Sequence, residues 1–83
     1  AYNKRGTVLA QKGNFSEALA DFNSALRYDD NFADAYYNRG LAHSGIGNAK
    51  AAIADYDRAI QLQPNMAEAY GNRGTVRYHL GDK

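Results

Sequence analysis

The chain has 83 residues, 45% of them hydrophobic, with ten Lys/Arg against nine Asp/Glu and no cysteine, which bounds it to one small domain with an economical core. Its apolar runs are only a few residues long, too short to span a bilayer as a helix. The missing cysteine excludes disulfides and thiolate metal sites, and a formal charge of +1 lacks the strong positive field on which general nucleic-acid binding relies.

The first predicted element is a helix over 1–12, opening mid-pattern with Ala1-Tyr2-Asn3-Lys4-Arg5-Gly6, as a piece cut from a longer protein would. Gly13-Asn14 closes it: glycine tolerates left-handed dihedrals, and the Asn oxygen is expected to cap the next helix. That second helix covers 15–28, where Ala18, Phe22, Ala25 and Leu26 recur at steps of three and four. Asn14 followed by Glu17 has capping-box spacing. Asn14-Phe15-Ser16 also fits a glycosylation acceptor, but it falls in the predicted turn and cap.

The third helix, 33–46, repeats the first at a fixed offset, with Ala35-Tyr36-Tyr37-Asn38-Arg39-Gly40 over Ala1 to Gly6. Gly47-Asn48 then matches Gly13-Asn14 in the same register. The fourth, 49–62, repeats the second, with Ala52-Ile53-Ala54-Asp55-Tyr56 over Ala18-Leu19-Ala20-Asp21-Phe22. Pro64 stops it, and Asn65 with Glu68 offers another capping-box spacing. The fifth, 67–80, restarts the pattern with Ala69-Tyr70-Gly71-Asn72-Arg73-Gly74, and Gly81-Asp82 keeps the register. The division is therefore a first repeat over 1–32, a second over 33–66, and the first helix of a third over 67–83.

These residues resemble the tetratricopeptide repeat, in which a large aromatic, Leu-Gly, Tyr, Ala, Phe and Pro recur with a period of about 34 residues. Tyr36, Gly40, Ala52, Tyr56, Ala59 and Pro64 stand at the corresponding positions of the central unit. The resemblance implies an all-α fold, a right-handed superhelix of antiparallel helical hairpins. Gly6, Gly40, Ala18 and Ala52 let backbones approach closely, and Tyr2, Tyr36, Phe22 and Tyr56 fill the space between them. The chain departs from the pattern where Arg5, Arg39 and Arg73 replace the leucine before the glycine, and where Leu9, His43 and Arg77 replace the later tyrosine. Asp21 and Asp55 recur on the helices that would pack against Arg5 and Arg39, so the expectation is a repeated Arg–Asp pair between helices, each holding a semi-buried guanidinium. Arg73 is expected to lack its Asp.

In such proteins the first helix of each hairpin lines a concave groove. The resemblance assigns to it Lys4, Thr7 and Gln11, then Asp34, Tyr37, Asn38, Leu41 and Ser44, then Glu68, Asn72, Thr75 and His79, and the three- and four-residue steps keep each set on one helix face. The row Lys4, Asn38, Asn72 is the favoured contact. An amide offers donors and an acceptor, so stacked Asn side chains can hold an extended peptide's backbone, while Tyr37 adds an amphipathic surface. Some family members clamp acidic C-terminal tails of heat-shock chaperones with Lys, Arg and Asn. Here Asn38 fits, but Asn3 and Thr7 replace the first helix's Lys and Asn, Glu68 and Asn72 replace the third's Lys and Arg, and Glu68 would repel a carboxylate.

Catalytic chemistry has no constellation to work with. His43 and His79 lack a second ligand at metal spacing, Asp29, Asp30, Asp55 and Asp57 sit at hairpin ends or recur structurally, and the glycines follow the repeat rather than a phosphate loop. The expectation is a scaffold that presents its groove to a peptide of another protein, without cofactor or enzymatic activity. Two rivals remain: a structural spacer that stacks end to end or swaps a helix to cover its raw ends, and an RNA-binding helical repeat. Nucleic-acid and membrane partners are disfavoured. The composition is compatible with either redox compartment, so localisation stays open, with the cytoplasm slightly favoured.

Overall fold

A computed structural model of the chain describes residues 2–79, without the side chains of Tyr2, Asn3 and His79. Five helices follow in order: α1 (Tyr2–Gln11), α2 (Phe15–Tyr28), α3 (Ala33–Gly45), α4 (Ala49–Leu62) and α5 (Ala67–His79). The two tight turns rest on Gly13 and Gly47, at φ 83° and 82°, a region that side chains with a Cβ rarely enter. The Asn14 and Asn48 N–H groups then donate back to the carbonyls of Leu9 and His43, both at 2.8 Å, closing each helix end in the Schellman manner.

Side-chain capping is corrected by this geometry. Asn14 and Asn48 occupy the N-cap positions but make no side-chain cap bond, and their ψ of 66° and 73° lies short of the extended range from which an Asn oxygen reaches the next turn. Their backbone carbonyls begin the helices instead, accepting from Ala18 and Ala52. Asn65 lies in the turn before α5, where the Met66 carbonyl accepts from Ala69 and Tyr70. The helix therefore starts one residue too late for Asn65 to pair with Glu68 as a capping box.

Each helix packs on its chain neighbours, and α3 also touches α1 and α5, whereas α2 and α4 do not pack on one another among the described residues. The odd-numbered helices thus form the inner layer of a curved stack. Phe22 and Tyr56 are its largest fully buried side chains. A Cβ built on Gly6 would stand 2.7 Å from the Phe22 ring, and one on Gly40 2.6 Å from the Tyr56 ring, so glycine lets each ring lie against its hairpin partner. Ala18, Ala52 and Ala59 are fully buried beside them. Tyr36 does a different job from the one expected: it packs on Ala25, Leu26 and Ala35, between successive hairpins, and its hydroxyl donates to the Asp30 carbonyl at 3.0 Å. The Tyr2 side chain lies outside the described residues.

A polar ladder runs through the layers. Arg5 donates through Nε and Nη2 to the two Asp21 oxygens at 2.7 and 2.6 Å, and Arg39 reaches Asp55 the same way at 2.9 and 2.7 Å. Arg39 Nη1 also donates backwards to Asn23 Oδ1 at 3.0 Å. Arg73, expected to lack the Asp of its own repeat, is paired all the same: its Nη1 donates to Asp57 Oδ1 at 2.7 Å. Asp57 holds the repeat position of Asn23, so this is the same backward contact made one hairpin later. The carboxylates Asp21 and Asp55 are the buried members. The Arg39 side chain is 24% exposed, while that of Arg5, whose helix meets only α2 and α3 among the described residues, is 64% exposed rather than semi-buried. The Arg5 hydrogen bonds hold the Asp21 carboxyl below its ordinary range against the opposing effect of burial. The Asp55 hydrogen bonds push Arg39 further up.

Candidate functional site

The inner face carries two adjoining concavities that share Asn38 as a common wall. One, of about 220 Å³, lies between α1 and α3, lined by Thr7, Ala10 and Gln11 on one side and Leu41 on the other, with Phe15 and Phe22 of α2 at its base. The second, of about 410 Å³, lies between α3 and α5 and is walled by Asp34, Tyr37, Met66 and Glu68. Leu41 is 38% exposed, large enough and apolar enough to offer contact area to a ligand.

The amides expected to face a ligand are already engaged between helices. Asn38 Nδ2 donates to Thr7 Oγ1 at 3.3 Å, and Asn72 Nδ2 donates to the Tyr37 hydroxyl at 2.8 Å. These bonds tie α1 to α3 and α3 to α5, and they orient the amides across the groove. The Thr75 hydroxyl donates to the Gly71 carbonyl of its own helix at 3.1 Å. Lys4, Gln11, Asp34, Ser44 and Glu68 are exposed. Burial chiefly, and then the nearby Glu68 charge, push the Tyr37 phenol up, while the bond from Asn72 works the other way. Tyr56, beneath Tyr37 at a ring-centroid distance of 5.9 Å, is pushed up to about 12, mostly by desolvation. His43 turns away from the groove: its Nε2 is 3.7 Å from Asp55 Oδ2, and its Nδ1 is buried without a hydrogen-bond partner among the described residues. The His79 side chain lies outside them.

Ala10, Phe15, Phe22 and Met66 were not legible as groove residues. Phe15 opens α2, whereas Met66 lies in the turn before α5, at the place that Phe32 occupies before α3, so a reading confined to the first-helix faces passes over both. Met66 aligning with Phe32 at the repeat offset was the available signal.

A family model for the tetratricopeptide repeat matches residues 6–47 and a second matches 33–66. The chain belongs to the tetratricopeptide repeat family. Among solved structures it is similar to the first tetratricopeptide domain of Spaghetti (RPAP3) bound to the HSP90 peptide SRMEEVD, at 26% identity and a TM-score of 0.94, over 96% of this chain and 64% of that one. It is also similar to the second such domain of the same protein with the same peptide, at 28% identity and a TM-score of 0.92, over 96% of this chain and 74% of that one. A search of curated protein sequences gave no significant match. Among the described residues no group of three His, Cys, Asp or Glu could hold a metal ion, and no helix is long and apolar enough to cross a membrane.

Proposed function

We propose that the chain is a protein-interaction scaffold that takes a peptide segment of another protein in the groove lined by α1, α3 and α5. The observation that carries this reading is the pair of adjoining concavities on the inner layer, one mainly apolar and one that mixes carboxylates with Tyr37 and Met66, joined at Asn38. Lys4, Thr7, Tyr37, Asn38, Leu41, Asn72 and Thr75 are the proposed contact residues. Asn72 spends one N–H on the Tyr37 hydroxyl, and its amide oxygen has the chemistry to accept from a peptide N–H. The two related domains that hold a peptide support the reading by likeness of fold.

The test is to titrate the isotope-labelled chain with pooled heptapeptides and follow its amide resonances. Shifts gathered at Thr7, Asn38 and Leu41 are expected, together with their loss in Leu41→Asp, whose side chain is already partly in water and whose replacement leaves the helical circular dichroism intact. Shifts confined to the outer helices α2 and α4 would refute it.

A second reading, a spacer that stacks end to end, is favoured by one feature. Gly74 stands at the repeat position of Gly6 and Gly40, yet a Cβ there would meet nothing within 4 Å among the described residues, and the neighbouring Tyr70 is 43% exposed. Where the other two glycines face a ring, this one meets none among the described residues. The dependence of sedimentation on concentration separates the two readings.

A further inference from the structure

The groove's second concavity has the composition of a cation site. Asp34 of α3 and Glu68 of α5 both line it, together with Tyr37, Asn38 and Met66. Neither carboxylate makes an ion pair among the described residues. The arginines of the ladder nearest to it are committed elsewhere, Arg39 to Asp55 and Asn23 and Arg73 to Asp57. An ammonium or guanidinium entering here would meet two negative charges, while its aliphatic stem lay along Met66 and the Tyr37 face. The adjoining concavity is lined by no charged side chain: Ala10, Phe15, Phe22 and Leu41 are apolar, and Thr7, Gln11 and Asn38 are neutral polar groups. Lys4, one repeat before Asn38, is the basic residue on the groove side of α1, and it lines neither concavity.

Resting on the groove reading, we infer that the partner is a basic and apolar peptide, with a Lys or Arg side chain between Asp34 and Glu68 and an aliphatic or aromatic side chain in the concavity over Phe15 and Leu41. The concavities share a wall residue, so they suit two side chains on the same face of an extended segment, where alternate residues stand about 6.6 Å apart. An acidic peptide meets like charge at the same place. The peptide SRMEEVD of the related domains carries three acidic residues, so this groove selects the opposite charge on a shared fold.

The experiment uses two capped heptapeptide pools, one with leucine and arginine two positions apart and the other with glutamate in place of the arginine. Both are titrated by fluorescence polarisation and by amide shifts into the wild-type chain, Glu68→Gln and Glu68→Lys. Two exposed ion pairs and a cation–π contact favour the basic pool by about tenfold, with the preference shrinking as salt shortens the screening length. Glu68→Gln should weaken it and Glu68→Lys abolish or invert it, both with unchanged helical content. If both pools shift the groove resonances but the acidic one binds as tightly as the basic, the inference is wrong and the groove reading stands. If neither pool moves those resonances, the groove reading falls and takes the charge preference with it.

Discussion

At the scale of single residues the ladder carries the consequence. Asp21 and Asp55 are equally buried, but their arginines are not equally wet, at 64% and 24% exposure. Removing a carboxylate strands whatever charge it was holding. Arg5 can hydrate in place, whereas Arg39 keeps only Asn23 and its position 5.4 Å over the Tyr36 ring. Asp55→Ala should therefore cost about 2–4 kcal/mol, less than a fully buried pair because Arg39 retains those contacts, and Asp21→Ala about 1 kcal/mol or less. In urea denaturation the midpoint of Asp55→Ala is the lower of the two; equal losses would show that burial of the carboxylate alone sets the cost. The Arg–Asp pairs were legible because identical residues recur at a fixed offset. The backward contact was not, because Asn23 and Asp57 differ in identity at one repeat position.

At the scale of the helix, one repeat position asks for opposite things in different hairpins. Gly40 admits the Tyr56 ring, and a methyl there would stand 2.6 Å from a ring carbon and 3.2 Å from the backbone oxygen of Ala52. Gly74, at the same position of the next repeat, has open space above it among the described residues. Alanine is the better helix former by about 1 kcal/mol, so Gly74→Ala should stabilise by about that amount. Gly40→Ala should instead lose about 1–3 kcal/mol to overpacking. At about 4–8 °C per kcal/mol for a domain of this size, thermal melts resolve the opposite signs, and a loss in Gly74→Ala would mean that something covers α5 in solution. The sequence carries the glycine period but not this difference, which depends on whether a second helix lies across the groove between turns. The turns have the same limit. Gly13 and Gly47 were readable as helix stops from residue type, whereas the failure of Asn14 and Asn48 to cap depends on ψ, which composition does not encode.

At the scale of the molecule, the question is how much the open side of α5 can hold. Stacked repeats are stabilised by their neighbours in one dimension, and α5 packs only on α4 and α3 among the described helices. Its Tyr70 and Gly74 present a face to water. A helix of this length is about 20 Å long and about 10 Å wide, so two copies meeting there would bury about 400 Å² in total, well below the roughly 1,200 Å² of a stable interface. The chain should accordingly sediment as a monomer at micromolar concentration, with any reversible association confined to the millimolar range. That outcome leaves the groove as the surface with the most to offer a partner. A dimer that persists at micromolar concentration would require more surface than this face provides, would point to exchange of a whole helix between copies, and would move the structural role ahead of peptide binding.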